Sequence, residues 1–173
     1  MKCRTTSFSL ASIAAMLCLA AMAFAAEPIA GDDGDNRLHG TGGDDVVNAA
    51  AGNDRVHGLA GNDELNGDAG DDVLRGGKGD DTVNGGDDAD RLKGGRGADT
   101  LDGGAGDDRL DARGDGRHAD EVTCGEGTDV ARLGRGDTIA DADDANQTGS
   151  CETVKGMKAP NTKAKGPKEE AGS

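Results

Sequence analysis

Gly76-Gly77-Lys78-Gly79-Asp80-Asp81-Thr82-Val83-Asn84 is one phrase of nine residues, and Gly85-Gly86 begins the next copy at once. Nine copies run without an insertion from Gly31 to Asp111. The sixth place holds Asn36, Asp45, Asp54, Asp63, Asp72, Asp81, Asp90, Asp99 and Asp108. The eighth holds Leu38, Val47, Val56, Leu65, Leu74, Val83, Leu92, Leu101 and Leu110. Glycine fills the first place except at Ala49 and the fourth except at Asp88. An acidic, Gly-rich chain without aromatic residues is ordinarily a disordered spacer. Such a spacer has no reason to keep an aliphatic side chain every ninth position, so the register marks a structural repeat.

The pattern, two glycines, any residue, glycine, any residue, Asp, any residue, a large aliphatic and any residue, resembles the calcium-binding nonapeptide repeat of secreted bacterial RTX proteins. The resemblance covers nearly half of the chain and implies an all-β fold, a parallel β-roll of the RTX solenoid type. In that fold six residues form a turn that helps to hold calcium and three form a short strand. Two repeats make one coil, so successive turns alternate between two edges. The aliphatic eighth place then points inward, and the seventh and ninth point out, as strand alternation requires.

The chemistry of the phrase suits calcium. Ca²⁺ is a hard cation that takes six to eight oxygens from carboxylates and carbonyls. Glycine reaches positive φ and exposes turn carbonyls, which a Cβ resists. The expected side-chain ligands are Asp45, Asp54, Asp63, Asp72, Asp81, Asp90, Asp99 and Asp108. The expected turn backbone is that of Gly40, Gly43, Gly58, Gly61, Gly67, Gly70, Gly76, Gly79, Gly94, Gly97, Gly103 and Gly106. Five turns on one edge leave four gaps and four on the other leave three, so the ions number at most about seven. Asn36, Ala49 and Asp88 all fall on the odd-numbered repeats, which predicts tighter binding on the even edge, around Asp45, Asp63, Asp81 and Asp99. Asp tolerates a left-handed backbone better than most residues, so Asp88 is compatible with its turn. The second place is glycine only in the last four copies, so the first five depart from the pattern there. An aliphatic core one residue deep is thin, and the carboxylates repel one another. The block is therefore expected to be largely unfolded without calcium and to fold on binding it.

The flanks read differently. Residues 1–25 have the form of a secretory signal: Lys2 and Arg4 at the start, an apolar stretch from Leu10 to Phe24, and small residues at Ala23-Phe24-Ala25 for cleavage. The apolar part is short for a membrane span. Residues 26–30 are a lead, and 31–111 are the nine repeats. After Asp111 the register slips by three, and Asp120-Glu121-Val122, Cys124 to Asp129 and Asp137-Thr138-Ile139 continue as degenerate copies through 112–154. A solenoid needs an atypical last unit over its open end, and this segment is expected to be that cap. Signal removal leaves two cysteines, Cys124 and Cys151, whose even number in an exported chain suggests a disulfide stapling the cap. A reactive or metal-binding thiol pair is the alternative, without the spacing for it. Residues 155–173, with five lysines and two prolines, read as a disordered tail.

The full chain carries a net charge of −15, and the repeat block holds 21 acidic against 8 basic residues. That balance repels nucleic-acid backbones and anionic membranes and favours cations. No nucleophile elbow, zinc-protease helix or phosphate loop is present, so an enzyme is not expected. His39 and His57 stand one coil apart at the outward ninth place and are expected to be a solvated pair. The reading is a calcium-binding protein, secreted or at the surface of a bacterium, structural or buffering. A cell-surface interaction or adhesin-type module that shows a calcium-ordered face to a partner is the alternative.

Overall fold

The computed structural model describes residues 28–114, 117–140, 151 and 153–155. The segment 1–25, expected to be a signal, and the residues beyond Lys155, expected to be a tail, lie outside the described residues. The strands are β1 Ile29–Ala30, β2 Arg37–His39, β3 Val46–Asn48, β4 Arg55–Ala60, β5 Glu64–Ala69, β6 Val73–Lys78 and β7 Thr82–Asp87. They continue as β8 Arg91–Arg96, β9 Thr100–Ala105, β10 Arg109–Asp111, β11 Glu121–Thr123, β12 Val130–Arg132, β13 Thr138–Ile139 and β14 Thr153–Lys155. Odd-numbered strands form one seven-stranded parallel sheet and even-numbered strands form the other. This is a parallel β-roll.

Each repeat therefore sends its strand to the sheet opposite its neighbour's, and pairing joins residues 18 apart. On the odd sheet Val47 faces Leu65, which faces Val83 and then Leu101. On the even sheet Leu38, Val56, Leu74, Leu92 and Leu110 stack in the same way. From Val47 to Leu110 these eighth-place side chains are at most 2 % exposed. Leu38 at the first coil is only partly buried. The strands β4 to β9 are six residues long, not three. The first three places of the next repeat also pair, as Leu59 with Gly77 and Ala60 with Lys78, which shortens the turn to the fourth, fifth and sixth places.

Past Asp111 both sheets continue with a changed core. β11 pairs with β9 and β12 with β10 at a spacing of 21, so the three extra residues are taken up between coils. In the roll the inward first place is glycine except at the buried Ala49, whereas in this region it is filled by Ala112, Cys124 and Leu133, all buried. Apolar packing becomes two side chains deep there, a denser core than the repeats possess. Cys124 is joined to Cys151, with Cα atoms 5.4 Å apart, so the disulfide links this packing to the last segment.

Candidate metal centre

Along each edge the sixth-place residues form a column of buried carboxylates. Asp54, Asp63, Asp72, Asp81, Asp90 and Asp108 are each no more than 2 % exposed. The two oxygens of each carboxylate have different surroundings. Oδ1 accepts the amide of the sixth-place residue one coil earlier. Asp63 N–H donates to Asp81 at 3.0 Å and Asp54 N–H to Asp72 at 2.7 Å. Asp45 N–H donates to Asp63 and Asp90 N–H to Asp108 in the same manner. Oδ2 of these six residues is buried with no hydrogen-bond partner. A buried acceptor left unpaired is costly, and an anionic one more so. The same arrangement repeated coil after coil is a built feature.

Two kinds of glycine shape the space around those oxygens. At the fourth place the backbone is left-handed, as at Gly79 with φ of +119°, and a Cβ there would fall on the Gly61 carbonyl one coil back. Asp88 takes the same conformation at φ 74°, as its chemistry allows. First-place glycines meet a different demand. A Cβ on Gly76 would fall on its own repeat's Asp81 Oδ2, and one on Gly58 would meet Asp63 Oδ2 and the Gly76 carbonyl. These glycines are required for space. Carbonyls of the second and fourth places stack behind one another in the same way, with Leu59 O behind Gly77 and Gly77 O behind Gly95.

Burial sets the electrostatics. It pushes the Asp72, Asp81 and Asp108 carboxyls up to about 6 and Asp90 to about 7, and raises Asp63. The amide bonded to each Oδ1 acts in the opposite direction, and neighbouring carboxylates in the column add to the upward push. These groups hold their charge at a cost that a cation beside them would offset.

Among the described residues, no three His, Cys, Asp or Glu side chains converge on one point. An ion here would complete its shell with main-chain carbonyls, an oxygen-only donor set that suits calcium and does not suit softer metals. The unpartnered anions, the oxygen donors and the space kept by glycine fit that ion. The first turn on each edge differs. Asp45 is held within its own turn, where Thr41 N–H donates to Oδ2 at 2.6 Å and Thr41 Oγ1 lies 3.0 Å from it. Asn36 is bonded to Asp32 in the turn before β2. Gly34 and Gly43 lie outside the left-handed region that the later fourth-place residues occupy.

Two features escaped the sequence reading. The carboxylate columns run on past the repeats: Asp120 accepts the Asp99 amide, Asp129 that of Asp108 and Asp137 that of Asp120. The Asp-x-aliphatic phrases had marked these positions. A second ladder stands on the exposed fifth place, where the side chain accepts the amide one coil later. Asp35 accepts from Asn53, Asn53 from Asp71 and Asn62 from Asp80. The Asp/Asn column at the fifth place was its available signal.

A two-sheet parallel solenoid with an anionic, oxygen-lined strip on each edge defines a class of repeat protein that holds hard cations. The model of the RTX calcium-binding nonapeptide repeat (4 copies) matches residues 30–65, 57–92 and 84–117, which together cover 30–117 without a break. The chain belongs to this family, whose repeats bind Ca²⁺. A search of curated proteins found no match. A search of solved structures found none either.

Proposed function

We propose that the chain is a secreted calcium-binding module whose repeats take up several Ca²⁺ ions and fold as they do so, in a structural or buffering role. The observation that carries this reading is the buried Oδ2, without a hydrogen-bond partner, of Asp54, Asp63, Asp72, Asp81, Asp90 and Asp108. Asp54, Asp63, Asp72, Asp81, Asp90, Asp99 and Asp108 would hold the ions together with turn carbonyls. Asp45, already bonded to Thr41, would hold one only by giving up those bonds. Calcium supplies the positive charge that lets the carboxylates stay ionised while buried. The chain's own part is to fix them at one per turn through the amide bonds to Oδ1.

The same reading assigns residues 1–25 to export, 31–111 to ion binding and 112–154 to closing the end of the core. Extracellular calcium modules commonly bind at about 10⁻⁴–10⁻³ M. An affinity in that range leaves the chain unfolded before export and folds it outside the cell. No catalytic role is proposed, since the buried carboxylates are explained by the ion.

Far-ultraviolet circular dichroism of residues 26–173, titrated with Ca²⁺ and with Mg²⁺ as control, tests the reading. A cooperative coil-to-β transition with Ca²⁺ alone is expected. No transition with either ion would leave a disordered acidic spacer.

A further inference from the structure

The alternation of strands sorts charge between the two sheets. All eight Lys and Arg residues of the repeat block lie on the even sheet, on β2, β4, β6, β8 and β10. The strands of the odd sheet carry no Lys or Arg, and hold Glu64, Asp68, Asp87, Asp102 and Glu121. In a chain of net charge −15, one face is thus cationic along its whole length.

The cations stand in rows parallel to the roll axis. Arg37 is in register with Arg55, and Arg91 with Arg109, all exposed at the seventh place. The ninth place adds His57, Arg75 and Lys93 in successive coils. Among the described residues, Arg37, Arg55, Arg75 and Arg91 make no ion pair with a carboxylate. Asp111, the acidic residue on the described strands of this sheet, is already paired with Arg113 at 2.9 Å. Two clefts open on the same face. One of about 250 Å³ is lined by Arg37, His39, Arg55, His57 and Arg75. The other, of about 520 Å³, is lined by Lys78, Lys93, Arg96 and Arg113 with Leu59.

We propose that the even sheet is a docking face for a linear acidic polysaccharide, a polyuronate lying along the roll axis. Coils follow one another every 4.7–4.9 Å or so, a step comparable with one sugar unit. Arg37, Arg55, Arg91 and Arg109 on the seventh-place row, interrupted by Val73, and Arg75 on the ninth present guanidinium groups as bidentate partners for carboxylates. Nucleic acid fits less well. The described residues include no Phe, Tyr or Trp on which a base could stack, and the strands of this sheet carry only the His39 and His57 imidazoles as rings. An anionic membrane is disfavoured by the lack of an apolar wedge on this face beyond Leu59, which is 40 % exposed.

The inference rests on the calcium-ordered roll. Without the ion, the acidic edges dominate the field and repel a polyanion. With it, their charge is offset and the cationic face is what a polyanion meets. Calcium would therefore act as the gate for docking.

The test is fluorescence anisotropy of a labelled oligogalacturonate too short to gel with Ca²⁺, added to the full chain in Ca²⁺ or in EDTA. Circular dichroism of the same samples reports folding separately. Binding is expected in Ca²⁺ only, weakened by added NaCl, and lowered about tenfold or more in the triple variant Arg55→Glu, Arg91→Glu, Arg109→Glu. Asn66→Glu with Asn84→Glu on the odd sheet adds like charge elsewhere and should leave binding within about twofold. A triple variant that folds with Ca²⁺ and binds as the parent does would overturn the proposal. So would a folded parent that ignores the oligouronate, or one that prefers single-stranded DNA or anionic vesicles. A flat circular dichroism titration would instead count against calcium-driven folding itself.

Discussion

Replacing Asp81 by Asn separates the two oxygens of one buried carboxylate. Asp81 Oδ1 accepts the Asp63 amide at 3.0 Å, and Oδ2 is buried, unpartnered and directed at Gly76. Asn keeps the first acceptor and removes the charge. Asn is close to Asp in shape and already stands at a sixth place in Asn36, whose side-chain oxygen accepts the Asp32 N–H and whose backbone N–H donates to Asp54 at 2.6 Å. Removing one partner of a buried charge pair costs about 3–5 kcal/mol. The hydrogen bond survives, so the lower end applies, and about 3 kcal/mol is roughly a hundredfold in the affinity of that site. The calcium midpoint of the circular dichroism transition should rise, and the transition should become less cooperative. Without calcium the sign reverses: in an osmolyte that favours compaction, Asp81→Asn should hold as much β structure as the parent or more, because an unpaired anion has gone. Asp81→Ala, which also loses the Asp63 bond, should be worse than Asn under both conditions. Identical calcium midpoints for Asn and parent would refute the reasoning and reduce the column to a hydrogen-bond ladder.

Asp72, Asp81, Asp90 and Asp108 carry carboxyls raised to about 6 or 7 by burial. Raised carboxyls favour the folded metal-free chain fully below the unfolded value near 3.8, and that contribution is lost as pH rises through 6–7. Protons therefore compete with the ion, and a calcium titration at pH 5 should give a higher midpoint than one at pH 8. At the fourth place, Gly79→Ala puts a Cβ at φ +119° onto the Gly61 carbonyl, and should cost about 1–3 kcal/mol in urea unfolding with calcium present. Leu59→Gly is the converse, since Leu59 sits at φ 87°, and relief of that strain should raise the unfolding free energy from urea titration by about 1–2 kcal/mol. Reducing the disulfide that closes the 27-residue separation of Cys124 and Cys151 should cost about 3–4 kcal/mol, visible as a lower Tm, while the calcium transition of the repeats persists.

The roll was legible because one period fixed two independent things. The eighth-place aliphatics named the core, and pairing at 18 residues put Val47, Leu65, Val83 and Leu101 in one stack, as the alternation of strands requires. The sixth-place column was legible as chemistry but not as geometry. Nothing in a nine-residue phrase shows that one oxygen of Asp63 is bound to the coil before it and the other left alone. That division arises only when coils stack. The exposed ladder of Asp35, Asn53 and Asn62 was obscured because its column mixes Asp, Asn and Ala, and because its bonds run to the following coil. Second-place residues were harder still. Ala50, Leu59 and Asp68 adopt a left-handed backbone that propensity argues against, held there by the ladder on either side, whereas Asp32 and Thr41 in the first turns do not. Thr41 closing on Asp45 is a local bond, and it shows how a terminal turn satisfies a carboxylate from within its own residues.

The assignment of successive repeats to opposite sheets has a bearing on how such a chain can change length. Loss or gain of one nine-residue phrase would leave every turn and every core position intact, yet would move all later strands across to the other sheet. Arg91 and Arg109 would then continue the row that holds Glu64 and Thr82, Lys93 would continue the row of Asn66 and Asn84, and the cationic face would break in two. Loss or gain of 18 residues changes nothing but the number of coils. The heritable unit is thus a pair of repeats, and a nine-residue duplication would be folded but scrambled. Insertions within a turn escape this parity, as the three extra residues after Asp111 show by returning β11 to the odd sheet and β12 to the even one.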